Sequence, residues 1–205
     1  MPALEKYHNN TGAIVLALPR GGVPVAWEIA TALNIPLDIL LVRKIGVPGH
    51  EELAMGALAS NNVLYWNKEV LRRVGTGSRG IENAVEIARN ELRRREETYR
   101  GNRPAPELKN RIVILVDDGL ATGSTMRAAI DAVRQQQPAR VIVAIPIAPP
   151  GTVSFLQASA DEVICLASPE PFYGVAEWYV NFSQLTDTAV CEMLDSAKKT
   201  AGKFP

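Results

Sequence analysis

Short, nearly uninterrupted apolar runs at Ile14 to Leu18, Leu37 to Val42, Val113 to Val116, Arg140 to Pro146 and Asp161 to Leu166 alternate along the chain with stretches of helical period. Runs without a polar alternation suit strands covered on both faces, as in parallel sheets. Between them, Ala26, Ile29, Ala30 and Leu33 share one helical face, and so do Met126, Ala129, Ile130 and Val133. Pro24 fits the first turn of the earlier helix, and Pro138 marks the end of the later one. A longer helix spans about Arg79 to Arg100, with Ile81, Val85, Ala88, Leu92 and Tyr99 as its buried stripe. Shorter ones are predicted at Lys68 to Arg73 and Thr152 to Ala158. Ala54 to Ser60 and Val63 to Trp66, separated by Asn61-Asn62, read as a hairpin. Alternating strands and helices imply an α/β fold with an open, doubly wound, mostly parallel sheet, whose ligands bind at the carboxyl ends of strands.

Composition narrows the class. The chain has 205 residues, 47% hydrophobic and 21% charged, which suits a single domain over residues 1–205 with a full core at about 12–167. Lys plus Arg and Asp plus Glu are equal at 22 each, so no global basic field argues for nucleic acid. The charge run Arg93 to Glu97 interleaves acids with bases and reads as a solvated helix face. Cys165 and Cys191 lack metal-ligand spacing and are expected to be reduced core thiols. With only His8 and His50, a His-rich metal site is excluded. No apolar run reaches membrane-spanning length, so no membrane partner and a cytoplasmic location are expected.

The chemistry concentrates at residues 113–125, where a buried-looking strand delivers Asp117 and Asp118 into Gly119-Leu120-Ala121-Thr122-Gly123-Ser124-Thr125 and then directly into a helix. Adjacent strand residues point to opposite sides, so one acid can face a ligand hydroxyl or a hydrated Mg²⁺ while the other orients backbone or water. Thr122, Gly123, Ser124 and Thr125 offer amides and hydroxyls where the helix dipole favours an anion such as phosphate. Arg20-Gly21-Gly22 holds the same topological position after the first strand. Glycine amides there can approach an anion closely and Arg20 can grip it bidentately; alone, the segment reads equally as a tight turn with a solvent-facing arginine.

The run Val-Asp-Asp-Gly-Leu-Ala-Thr-Gly at 116–123, with Leu-Pro-Arg-Gly-Gly-Val-Pro-Val-Ala at 18–26 and Val-Arg-Lys at 42–44, resembles the type I phosphoribosyltransferases, over about residues 14–182. The resemblance implies that family's fold, with a hairpin and helical insertion at about 45–100 and a small C-terminal hood at about 168–205. It implies a phosphoribosyl pyrophosphate (PRPP) site in which Asp117 and Asp118 bind ribose hydroxyls and Mg²⁺. Ala121 to Thr125 would hold the 5-phosphate and Arg20, Gly21 and Gly22 the pyrophosphate. Arg43 and Lys44, closing the second strand, and His50 in a mobile loop Ile45 to Glu52 would assist catalysis. Phe172, in an aromatic-rich segment from Pro169 to Phe182, would stack on the base. The expected reaction moves ribose 5-phosphate from PRPP to a small nitrogenous base; a homodimer is also implied. Three departures bear on this. Gly119 replaces an apolar residue, Ala121 stands where purine-salvage relatives carry an acid, and Ile147-Ala148 lacks their base-reading lysine, which argues against guanine and hypoxanthine. The Ala121 departure keeps open a non-catalytic PRPP or nucleotide sensor on the same fold. A phospho-accepting receiver domain would need a lysine closing a later strand, and Ile142 to Ala148 has none.

Overall fold

The computed structural model describes residues 2–74, 78–101 and 103–201, so Met1 and residues 202–205 of the expected hood lie outside the described residues. The parallel sheet consists of β1 (Ala13–Ala17), β2 (Leu37–Ile39), β6 (Ile112–Val116), β7 (Arg140–Ile147) and β8 (Glu162–Ala167), in the order β2-β1-β6-β7-β8. All four pairings are parallel. The intervening antiparallel strands β3 (Val42–Val47), β4 (His50–Ala59) and β5 (Val63–Trp66) form a second, three-stranded sheet. Helices α1 (Gly22–Leu33), α2 (Lys68–Val74), α3 (Ser78–Arg100), α4 (Ser124–Arg134), α5 (Pro150–Gln157) and α6 (Asp187–Ala201) complete the fold, with 3-10 turns at Pro2–Tyr7, Ser60–Asn62 and Val175–Trp178.

The unbroken apolar runs are two interleaved faces. On β6, Ile114 and Val116 join a core with Ala26, Ile29, Ala30 and Leu33 of α1, Val85, Ala88 and Leu92 of α3 and Val190 and Leu194 of α6. Val113 and Leu115 point the other way, onto Met126, Ala129, Ile130 and Val133 of α4. Period-two side chains with helices on both faces leave no position for a polar residue in β1 or β6, and every residue of β1 is buried. At the sheet edge β8 is only half-covered, so Cys165 is a half-buried thiol rather than the expected core one. Cys191 is likewise half-buried.

Two further expectations are corrected. The stretch Leu37 to Val42 is not one strand: β2 ends at Ile39, the Leu40 amide still donates to Ala17 O at 2.8 Å, and Leu41 then exchanges hydrogen bonds with Ser60. The chain therefore leaves the parallel sheet at Leu40-Leu41 and enters the second sheet, which places Arg43 and Lys44 inside β3 rather than at the end of β2. Ile45 to Glu52 is correspondingly not a loop. It is the tip of the β3–β4 hairpin, with Val47 opposite His50 and a Pro48-Gly49 turn whose Gly49 has φ 80°. Proline followed by a positive-φ glycine is the signature of a type II turn, a signal the sequence carries at Pro48-Gly49. The hairpin predicted from Ala54 to Trp66 forms, but its connection is a three-residue 3-10 turn, Ser60–Asn62, rather than Asn61-Asn62 alone, with Ala59 opposite Val63 and Asn62 at φ 60°.

Helix α6 was not foreseen. Its Val190 and Leu194 are buried, and it packs on α1 and α3, with Trp27 Nε1 donating to Ser196 Oγ at 2.9 Å. The C-terminus of α3 is fixed by Arg100, whose side chain is 5% exposed and pairs with Asp38 Oδ1 at 3.1 Å and Glu96 Oε1 at 3.3 Å. It also donates to Ile39 O. Arg100 thus satisfies the end of β2, where the chain leaves the sheet. Removing it strands a carboxylate and a carbonyl. Arg100→Ala is expected to lower unfolding free energy by about 3 kcal/mol in urea titration; a loss below about 0.5 kcal/mol would contradict this role.

Candidate active site

Strand order reverses between β1 and β6, because the chain leaves β1 toward β2 on one side and leaves β6 toward β7 on the other. Such a switch point leaves a crevice between the two carboxyl ends. The register pairs Ala17 with Val116, and the Leu18 amide donates to Val116 O at 2.8 Å. The segments that follow, Pro19 to Gly22 and Asp117 to Thr125, must therefore run side by side.

They touch. A Cβ on Gly21 would lie 1.7 Å from Asp118 Oδ2, and one on Gly22 would lie 2.7 Å from Val116 O and 2.9 Å from the Asp117 Cα. Only hydrogen at both positions lets the turn close against the acids. The Pro19–Arg20 peptide bond is cis.

Asp117 Oδ1 accepts the Asp118 amide at 2.9 Å. Burial, followed by the charge of Asp118, pushes its carboxyl up to about 8. Burial raises Asp118 as well. Tyr179, from the C-terminal segment, donates its hydroxyl to Asp118 O. Burial and then the two acid charges push that hydroxyl up to about 12, keeping it a neutral donor. Tyr179 also packs on Phe182, with ring centroids 5.2 Å apart. Tyr179 was not singled out in the sequence; its place in the aromatic cluster was the only signal. Phe172, the expected base contact, is half-buried in the same segment, after a cis Glu170–Pro171 bond. Gly119 has its own packing reason, since a Cβ there would meet Ile147 Cγ2 and Val175 Cγ1 at 2.7 Å each. The 3-10 turn carrying Val175 thus closes onto the acidic loop.

Beyond Gly119, Leu120 is buried while Ala121 and Thr122 are exposed. Gly123 takes φ 70° at the start of α4, and no side chain caps that helix. A Cβ at Gly123 would meet Thr152 Cγ2 at 2.8 Å, and Thr152 Oγ1 donates to Ala121 O, which ties the loop to α5. Thr122 Oγ1 and Ser124 Oγ lie 3.0 Å apart. Lys44 reaches over from β3 to donate to Ser124 Oγ at 3.3 Å. An uncapped helix start with clustered hydroxyls and an ammonium group can hold a phosphate.

The other expected residues are arranged less simply. Arg43 projects from the opposite side of β3 and pairs with Glu91 of α3 at 2.8 Å. It lines a cavity of about 40 Å³ with Pro19, Arg95 and Thr125. Arg20 turns toward the C-terminal segment, donating to Gln184 Oε1 at 3.3 Å and lying 3.8 Å from Asp187 Oδ1. His50 is exposed at the hairpin tip. That tip leans on the start of α3, where Pro48 Cγ would lie 3.1 Å from a Cβ on Gly80. On the other flank of Lys44 and Ser124 lies an open cleft of about 640 Å³, bounded by Tyr65, Trp66, Arg127 and Phe155.

For Mg²⁺, the donor set is two adjacent carboxylates whose protonation is favoured by burial in the absence of a cation. No cluster of three or more His, Cys, Asp or Glu occurs among the described residues. Mg²⁺ keeps several waters and takes one or two carboxylates plus substrate phosphates, so Asp117 and Asp118 fit it without a larger cage.

A parallel sheet whose switch point joins a glycine turn to an acidic, hydroxyl-rich loop is the architecture of the type I phosphoribosyltransferases. The chain belongs to the phosphoribosyl transferase domain family, which matches residues 3–182. Two Mycobacterium tuberculosis proteins, both provisionally named phosphoribosyl transferases, are each 42% identical to it over 186 residues, 91% of this chain and 42% of theirs. The chain thus spans less than half the length of those relatives. The crystal structure of the TT1426 protein from Thermus thermophilus aligns with a TM-score of 0.84 at 42% identity, covering 94% of this chain and 91% of that one. No helix of the described residues is long and apolar enough to cross a membrane.

The raised carboxyl of Asp117 has a sign that can be tested. Its folded value near 8 lies above the unfolded value of about 3.9, so the folded state holds a proton that the unfolded chain releases. Its contribution to stability is complete below about pH 4 and is lost as pH rises toward 8. Asp117→Asn keeps the acceptor for the Asp118 amide and removes the charge. Without Mg²⁺ it is expected to be more stable than the parent at pH 8, by about 1 to 3 kcal/mol, and equal to it near pH 4. Thermal melts of both proteins across that range check this, and parallel pH profiles would contradict it.

Proposed function

We propose that the protein transfers the 5-phosphoribosyl group of PRPP to a ring nitrogen of a small nitrogenous base, releasing pyrophosphate. The observation that supports this most directly is the packing of Gly21 against the Asp118 carboxylate, which joins the two anion loops into one crevice. In this reading Asp117 and Asp118 hold the ribose hydroxyls. The amides and hydroxyls from Thr122 to Thr125, with Lys44, hold the 5-phosphate, and the Arg20-Gly21-Gly22 turn receives the pyrophosphate. Asp117 and Asp118 would hold Mg²⁺, which would supply charge neutralisation to the leaving group.

The chemistry asked of the side chains is modest. The bond from C1 of the ribose to the pyrophosphate oxygen breaks and a bond from C1 to the base nitrogen forms. The electron pair leaves with pyrophosphate, and the nitrogen's proton passes to solvent water. An oxocarbenium-like transition state is accelerated by fixed cations and amides around the leaving group and by holding the base in line. Tyr179 keeps Asp118 in place through its carbonyl, and the Val175 turn packs against Gly119 of the acidic loop. The base would enter beside the aromatic segment that carries Phe172 and Tyr179.

Pyrophosphate release from PRPP and Mg²⁺ across purines, pyrimidines and small nitrogen heterocycles tests the reading. Turnover with at least one base is expected. PRPP binding without turnover on the whole panel would favour the sensor alternative, for which Ala121 in place of an acid is the motivating feature. Asp118→Asn should weaken PRPP binding by about tenfold or more, because a charged acceptor for two hydroxyls is lost. Unchanged affinity would remove the acids from the ribose site.

A further inference from the structure

The Arg20 side chain opens onto a hollow of about 170 Å³ lined by Arg20, Arg94, Arg95, Thr98, Tyr99 and Asp187. We propose that this hollow is a binding site for a phosphate-class anion, built jointly by α3 and the Arg20 turn. Three arginines and a single carboxylate line it. That carboxylate is already engaged, since Tyr99 donates to Asp187 Oδ1 at 2.5 Å and Arg20 lies 3.8 Å from it. Arg95 has only a long 3.6 Å pairing with Glu91, which is shared with Arg43 at 2.8 Å. Arg94 pairs with no carboxylate among the described residues.

With Arg94 lacking a carboxylate and Arg95 sharing a distant one, the lining carries an excess of positive charge, which a tetrahedral oxyanion would relieve while matching the planar guanidinium forks. The helix explains why these arginines converge. Residues 91, 94, 95 and 98 share one face of α3 at spacings of three and four, and the packing of α3 on β3 and α6 turns that face toward Pro19 and Arg20. Arg93 does not line the hollow. The charge run expected to be a solvated face is therefore divided by the fold, with Arg94 and Arg95 aimed at the anion turn.

Two sources could fill the site: the pyrophosphate end of PRPP, a source that rests on the phosphoribosyl reading, or a separate phosphorylated effector. Calorimetric titration with inorganic pyrophosphate distinguishes contact from mere field. Arg94→Gln and Arg95→Gln, both on the exposed helix surface, should each weaken pyrophosphate about tenfold. Arg93→Gln, an equal charge change outside the hollow, should weaken it less than about twofold. Ribose 5-phosphate, which probes the Thr122 to Thr125 loop, should bind all four proteins alike. Displacement of pyrophosphate by PRPP identifies the substrate as the source, and simultaneous binding of both identifies an effector; either supports the site. Equal pyrophosphate affinity in parent, Arg94→Gln and Arg95→Gln overturns it, and so does an equal loss in Arg93→Gln. Failure of PRPP and ribose 5-phosphate to bind the parent protein, with pyrophosphate still held by Arg94 and Arg95, would defeat the phosphoribosyl reading and leave this one standing.

Discussion

Parallel pairing of β1 with β6, continued one step past both strands by the Leu18 amide on Val116 O, is the constraint on which the crevice depends. It brings two loops, nearly a hundred positions apart in the chain, into van der Waals contact, and the contact holds only because Gly21 and Gly22 carry no side chains. The acids cannot then relax away from the turn. Burial raises both carboxyls, and at Asp117 the charge of Asp118 adds to it, a condition that a cation with sugar hydroxyls would relieve.

Around this contact the rest of the molecule acts as a set of braces. Thr152 of α5 holds the hydroxyl-rich loop through Ala121 O, Tyr179 holds the acidic loop through Asp118 O, and Ile147 with Val175 fills the space that a side chain at position 119 would need. The second sheet carries Lys44 to Ser124. Helix α3 is clamped at one end by Arg100 on β2 and leans at the other on the hairpin tip, which holds its arginine face along the Arg20 turn. Departures from the usual family pattern thus have different characters. Gly119 is explained by packing, whereas Ala121 is exposed and its side chain answers to no structural demand visible here.

The fold was largely legible in the pattern of apolar residues, because a strand covered on both faces has no alternative to an unbroken apolar run. The strand, loop and helix from Val113 to Val133 read correctly for that reason. The errors fell where local pattern and tertiary pairing part company. Leu37 to Val42 looks like one strand, yet its hydrogen bonds change partner at Leu40-Leu41, and no local propensity records a change of partner. A loop over Ile45 to Glu52 follows from the resemblance alone, whereas the Pro-Gly pair signals the hairpin that forms. Helix α6 went unread although Val190 and Leu194 have helical spacing.

By itself the amino-acid sequence determined the alternation of strands and helices, the acids at a strand end, the glycines of the first turn and the hydroxyl cluster that opens α4. These are local properties, set by side-chain period, backbone freedom and hydrogen-bonding capacity within a few residues. Which loops meet, which arginines converge and which tyrosine steadies Asp118 were decided only by tertiary structure. Such juxtapositions depend on strand order and helix packing between distant segments, and a side chain's direction at that range is set by the fold as a whole.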